Sequence, residues 1–279
     1  MRLNDIKYYL WRCYCLTLKP CAIEINVVSH CNLNCAACTH YSPIAPRSFM
    51  SIEEFKTMVC RLRKIRHAYQ KLRLVGGEPL LHPDILEILR IAGAELKNKK
   101  IELYTNGLIL AREQEHGFVE SFAQICRQYG IRVIVTLYPI DVNYDKVIGN
   151  LKKNSVDVSQ IGNGGRDKLF TLMHLDPKKN GKRSKYYICS ETGCMQLVGN
   201  KIYPCSESAY VGFVNDRFGF DFRHDATDYI RIEDIKHFYS LWWFRIKSKS
   251  FCRYCVFPRE CLTWGPSQHS AWEWVKRIR

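Results

Sequence analysis

The densest concentration of chemistry in this chain is Cys31-Asn32-Leu33-Asn34-Cys35-Ala36-Ala37-Cys38, a C-x3-C-x2-C run. Three thiolates on one short loop can each hold one iron of a four-iron cluster, which leaves the fourth iron open to a small molecule. The same thiols could hold a structural zinc completed by a distant fourth ligand, with His30 and His40 nearby. Position favours the cluster. The run directly follows a strand-like stretch, Cys21–Val28, and strand-end loops are where alternating α/β folds collect their chemistry. A second signal, Gly76-Gly77-Glu78-Pro79, follows the next strand-like stretch. Paired glycines let backbone approach a ligand closely, and exposed amides and carbonyls there can bind a carboxylate or an ammonium. Alone this is a weak turn signal. At the second strand end, after a cysteine loop at the first, it is specific.

A second cysteine set lies further on. Cys194–Cys205 reads CMQLVGNKIYPC. If Gly199-Asn200 is a two-residue turn, Val198 pairs with Lys201, Leu197 with Ile202, and Cys194 falls opposite Cys205. Directly opposed Cβ atoms sit ~4.5–5.5 Å apart, so both sulfurs could grip one metal centre. Cys252-Arg253-Tyr254-Cys255 adds a C-x2-C pair, making a four-thiolate site. Spacing alone leaves zinc and an iron–sulfur cluster both open. Cys60 and Cys126 fall on helical patterns as small buried hydrophobes, and nothing supports a role for Cys13, Cys15 or Cys21.

The elements that must position these groups alternate through the first 175 residues. Strand-like runs Cys21–Val28, Lys71–Val75, Ile101–Tyr104, Ile131–Leu137, Val156–Ile161 and Lys168–Leu175 are interleaved with helical patterns. These begin at Ser51, with Glu53 and Glu54 in the first turn and Phe55, Met58, Val59 and Leu62 at helical spacing. Further helices span about 83–97, 112–129 and 143–153. Such alternation implies parallel strands with right-handed crossovers. Roughly six units fit, fewer than a closed barrel's eight, so the expectation is α/β, a partial (β/α)6 TIM-type barrel. An open doubly wound sheet is the alternative. The turn-rich stretch Asp176–Gly181 divides residues 1–180 from a smaller C-terminal domain, 181–279, with a helix around Ile232–Lys247.

Composition bounds the rest. Of 279 residues, 47% are apolar, enough for a sizeable core, and 42 Lys+Arg against 27 Asp+Glu give a net charge of +15. That favours anionic partners without choosing among them. Fourteen cysteines without a secretory signal point to a reducing cytoplasm, where clustered thiols mean metal or redox chemistry. The run Tyr8–Leu18 is far shorter than the ~20 residues of a spanning helix, so no transmembrane segment is expected. Basic aromatic stretches such as Tyr239–Lys249 and Trp272–Arg279 would suit a nucleic-acid-binding module; at helical spacing they read better as core faces with snorkelling cations.

CNLNCAACTHYSP, GGEPLLHPD and ELYTNG together resemble the radical S-adenosylmethionine (radical SAM) superfamily, over about residues 21–175, and within it members found with cell-surface glycan biosynthesis. The resemblance implies that Cys31, Cys35 and Cys38 bind a [4Fe–4S] cluster whose open iron chelates S-adenosylmethionine. It implies that Gly76, Gly77, Glu78 and Pro79 line the methionine moiety, with Asn106, Thr136 and Tyr138 also placed to contact the cofactor. Reductive cleavage would give a 5′-deoxyadenosyl radical that abstracts hydrogen from a substrate carbon. The family's aromatic residue before the third cysteine is replaced by Ala37, with Tyr41 as a substitute. A cysteine before a hairpin, one at its end and a later C-x2-C are similar to the auxiliary-cluster (Twitch/SPASM-like) domain. Because Gly265 stands where the larger version has a further cysteine, the single-cluster version is expected, a second [4Fe–4S] on Cys194, Cys205, Cys252 and Cys255. Cys189 could replace one of these, and Cys261 is a reserve. The implied reaction is oxidation or epimerisation of a sugar, cyclitol or sugar nucleotide, small and anionic or glycosyl, with a ribosomal peptide as the alternative. An electron donor such as flavodoxin or ferredoxin is implied, and nucleic acid is not.

Overall fold

The computed structural model describes residues 6, 10, 21–112, 116–165, 167–176, 189, 193–247, 249–256 and 259–277. Cys13, Cys15 and the expected boundary near residue 180 lie outside these residues.

Five strands alternate with helices as the apolar patterns require: β1 (Ala22–Val28), β2 (Lys71–Gly76), β3 (Lys100–Thr105), β4 (Arg132–Thr136) and β5 (Val158–Ile161). All four neighbouring pairs are parallel. The pleat sorts β1 by period two. Ile23, Ile25 and Val27 enter the main hydrophobic core, while Glu24 faces the interior cavity. Helix α1 (Ile52–Lys64) covers the outer face with Phe55, Met58, Val59 and Leu62, and a reciprocal Ser51–Glu54 capping box fixes its start. The helices at Ile85–Glu95, His116–Tyr129 and Tyr144–Lys153 follow the same logic.

The sixth parallel strand is not where the sequence pattern put it. β6 (Asp167–Phe170) leaves the sheet and pairs antiparallel with a late strand, Glu260–Thr263. No crossover helix follows β5, so the chain has no route to lay that segment parallel beside it. β7 (Met195–Val198) takes the sixth place on the other edge, parallel to β1, and turns through Gly199-Asn200 into β8 (Lys201–Tyr203). The hairpin register is the one read from sequence, Val198 against Lys201 and Leu197 against Ile202. β9 (Ile230–Arg231) completes the eight-stranded order β5-β4-β3-β2-β1-β7-β8-β9. This is an α/β, parallel-dominated sheet of the partial-barrel kind. The expected helix near 232–247 is a single turn at Ile232–Asp234 followed by a helix at Tyr239–Ile246.

A second, smaller core forms where the C-terminal tail returns to the cysteine loop. It packs Tyr41, Met173, Val211, Phe222, Phe251, Trp274 and Val275.

Candidate active site

The loop after β1 carries Cys31, Cys35 and Cys38 into a cavity of about 400 Å³ that all three line. Left-handed backbone at Asn34 (φ 51°) and Ala37 (φ 52°) precedes the second and third cysteines and winds the loop tightly. The end of β2 crosses close beneath it. Gly77 N–H donates to Val28 O (2.7 Å) and Glu78 N–H to His30 O (3.0 Å). A Cβ on Gly77 would sit 1.8 Å from His30 O, and one on Gly76 2.4 Å from Val28 O. Gly77 is therefore demanded first by the backbone that opens the cysteine loop and Gly76 by the end of β1, nearer causes than the close ligand approach that the pair suggested in sequence.

Glu78 is 1% exposed and works inside the protein. Its carboxylate accepts from Thr105 Oγ1 (2.8 Å), Asn106 N–H (2.7 Å) and Leu80 N–H (3.1 Å), tying the end of β2 to the end of β3. Burial lifts its pKa from 4.5 to about 7 against these three donors. Asn106 Nδ2 then donates to Asn32 Oδ1 (2.7 Å) and lies 3.6 Å from Cys31 Sγ, so the third strand end touches the loop directly. Gly76, Gly77, Glu78, Asn106, Thr136 and Tyr138 all line the cavity. Pro79, also named from sequence, is instead buried at the start of a single helical turn. Tyr41 is a correction to the expected substitute for Ala37. At 1% exposure its ring packs on Trp274 and its hydroxyl donates to Glu207 O, so no ligand can stack on it. Trp264, next to Tyr138 with centroids 6.0 Å apart, lines the cavity, as do Tyr138 itself and Tyr104.

The tail braces the same loop. Ala36 N–H donates to Gly265 O (2.9 Å), Ser267 N–H to Asn34 O (2.7 Å), and Trp274 Nε1–H to Cys38 O (2.9 Å). More than 220 residues of chain separate these partners, which is why sequence pattern gave no hint of them. A second unforeseen feature lies deeper. Glu24, Arg73 and Glu102, the third residues of β1, β2 and β3, stand in register. Arg73 pairs with Glu24 (3.0 Å) and Glu102 (3.0 Å), and Glu24 also accepts from Gln196 Nε2. Charged residues at matching positions of otherwise apolar strands were a readable signal for an interior polar layer.

The C-terminal cysteines divide. Cys205, Cys252 and Cys255 lie close enough, together with Cys189, to oppose one another's ionisation. Burial is the larger cause: it pushes Cys252 up to about 12 and Cys205 and Cys255 well above their ordinary value. Arg259 Nη2 is 3.8 Å from Cys189 Sγ. Cys194 has a different neighbour. It lines the central cavity and has Arg73 Nη1 3.7 Å from its sulfur. Cys261 is exposed on the strand paired with β6.

Both thiol groups suit cluster binding by their donor chemistry. Cys31, like Cys252, is pushed up to about 12 by burial, so it becomes a thiolate only against a bound cation. Among the described residues no three His, Cys, Asp or Glu side chains converge on a single ion. A four-iron cluster does not ask this, since each thiolate holds a separate iron. The cavity also presents buried polar atoms without protein partners, Ser42 Oγ, His40 Nε2 and Trp264 Nε1, as a ligand site would.

Residues 25–159 match the model of the Radical SAM superfamily. Residues 25–159 thus carry a radical SAM superfamily domain, a family of enzymes that implies a four-iron cluster and S-adenosylmethionine. Among curated proteins it is similar to the GTP 3′,8-cyclase of Microcystis aeruginosa, 31% identical over 134 residues, covering 46% of this chain and 38% of that one. It is likewise similar to the probable GTP 3′,8-cyclase of Methanococcus aeolicus, 34% identical over 134 residues, covering 46% and 41%. The match thus spans about two fifths of these relatives' length. Among solved structures the fold is similar to BtrN in complex with AdoMet and 2-DOIA, with a TM-score of 0.53 and 18% identity, covering 86% of this chain and 94% of that one.

Proposed function

We propose that this protein cleaves S-adenosylmethionine reductively and uses the resulting radical to oxidise or epimerise a sugar, cyclitol or sugar nucleotide. The carrying observation is that Cys31, Cys35 and Cys38 border one cavity together with Gly76–Glu78 and Asn106. In this reading the three cysteines ligate three irons of a [4Fe–4S] cluster. The loaded site supplies a 5′-deoxyadenosyl radical able to remove hydrogen from an unactivated C–H bond. The protein's own part is to position and to exclude. Gly77 and Glu78 hold the end of β1 and the start of the cysteine loop by their backbone, the Glu78 carboxylate and Asn106 lock the strand ends around it, and Thr136, Tyr138 and Trp264 wall the cavity. A walled cavity keeps water from a reactive centre and fixes the target carbon at reacting distance.

Cys189, Cys205, Cys252 and Cys255 are proposed to hold an auxiliary [4Fe–4S] cluster that takes or relays one electron, with Cys189 in the place expected for Cys194. Residues 181–279 would form its domain. A one-electron donor such as flavodoxin or ferredoxin would reduce the first site. A cytoplasmic setting accords with the absence of any disulfide among the twelve cysteines within the described residues, and no described helix is long and apolar enough to cross a membrane. A nucleotide substrate, which the relatives' names suggest, has less support, because the match stops within the barrel half.

Anaerobic reconstitution with iron and sulfide tests the proposal. The expected result is a brown protein with about eight irons that forms 5′-deoxyadenosine under a strong reductant. A colourless protein with one bound zinc and no cleavage refutes it.

A further inference from the structure

We infer that the cavity takes a polyhydroxylated ring that carries no phosphate, uncharged or amine-bearing, with Ser42 and His40 reading hydroxyl groups. This rests on the cavity being the active site, as proposed above. Three observations carry it.

The first is charge. Among the described residues lining the cavity there is no lysine and no arginine, although the chain as a whole carries +15. Its acidic side chains are Glu24 and Glu78, both already engaged, Glu24 by Arg73 and Gln196 and Glu78 by Thr105, Asn106 and Leu80. The nearby guanidinium, Arg73, is held by Glu24 and Glu102. Phosphate recognition calls for a free cationic fork or ammonium. A phosphate here would instead meet carboxylate and thiol.

The second is unmet hydrogen bonding. Ser42 is 5% exposed, lines the cavity, and its Oγ has no partner in the protein. His40 Nε2 and Trp264 Nε1 are likewise buried at the cavity without partners. Buried polar atoms left unpaired are costly, and a site that leaves several open discriminates for ligands that fill them. A hydroxyl can donate to one such atom and accept from another.

The third is size. About 400 Å³ is near the small end of the ~300–1,000 Å³ typical of small-molecule sites, and it must also admit the cofactor. A sugar nucleotide adds a base, a ribose and two phosphates to the ring; a free ring does not.

The test uses the anaerobically reconstituted holoenzyme with S-adenosylmethionine present and four probes: scyllo-inositol, glucosamine, glucose 6-phosphate and UDP-glucose. Equilibrium binding is read by calorimetry and 5′-deoxyadenosine formation by chromatography. At least one of the first two should bind, with both phosphorylated probes about tenfold or more weaker, a difference of one buried charge-assisted contact. Ser42→Ala should weaken ring binding about tenfold, while Ser42→Thr, which restores a hydroxyl, should stay within about threefold of the wild type. Equal or tighter binding of a phosphorylated probe, binding of none of the four, or identical behaviour of the alanine and threonine variants overturns the inference. If the protein cleaves S-adenosylmethionine yet prefers phosphate, this inference alone fails; if it takes up no cluster, the functional reading fails and this falls with it.

Discussion

The loop bearing Cys31, Cys35 and Cys38 and the group formed by Cys189, Cys205, Cys252 and Cys255 both gather thiols, but by different routes. In the first, one strand end delivers all three cysteines within a single turn of chain, and strands β2 and β3 brace it through Gly77, Glu78 and Asn106. In the second, the thiols come from a segment before a hairpin, the start of a short helix after it, and a turn forty-seven positions later in sequence. A local loop can hold its geometry before any ligand arrives. A dispersed group depends on tertiary packing, and each of its buried thiols resists ionisation. The first site is expected to fail all at once when a ligand is lost, the second to fail with the first site intact.

The sharpest way to break that contrast is Cys35→Ala. Formation of 5′-deoxyadenosine should fall below detection and iron should drop by about four per chain, leaving the visible spectrum of the second cluster. Retained cleavage would remove the cysteine loop from the mechanism. Next comes a paired comparison in the second region. Cys189→Ala should lose about four irons, whereas Cys194→Ala should keep its full iron content, since Cys194 sits in the central cavity beside Arg73. The reverse outcome would restore the ligand set that spacing alone suggested.

That pair also marks how far sequence could carry the reading. C-x3-C-x2-C, GGEP and the strand–helix alternation were legible because each is set by neighbours within a few residues. The hairpin register was legible for the same reason, as Gly199-Asn200 forces Val198 opposite Lys201. Which of Cys189 and Cys194 would serve an auxiliary cluster is not legible in the same way, because it depends on how the hairpin docks beside β1. The sixth strand was misplaced on similar grounds: Asp167–Phe170 has the pattern of a strand, but its partner lies ninety residues downstream. Tyr41 looked available for a ligand until the tail packed Trp274 against it.

Gly77→Ala sharpens the comparison within the first region. The added methyl would lie 1.8 Å from a backbone oxygen that has no freedom to move aside. The expected loss is about 3 kcal/mol or more of stability, with cluster uptake impaired in step. Gly149→Ala is the control: it lies within the helix Tyr144–Lys153, a methyl there would meet nothing within 4 Å, and the change should gain roughly 0.5–1 kcal/mol. Thermal unfolding of the apo-proteins reads both, and equal melting points would show that the glycine crossing does not brace the loop.

The smallest effect links the two regions. Trp274 is 2% exposed, and its indole N–H donates to Cys38 O at 2.9 Å while its ring packs on Tyr41. Trp274→Phe keeps most of the packing and removes the donor, leaving a loop carbonyl to find another partner. The expected cost is about 1 kcal/mol, seen as faster iron release to a chelator with little change in initial iron content. Trp272, two residues earlier and 43% exposed, should tolerate the same substitution. Because the tail meets the cysteine loop from a distant part of the chain, a measurable difference between these two tryptophans would mean that the local loop is not self-sufficient. It would then share, in small measure, the dependence on tertiary packing that governs the dispersed thiols.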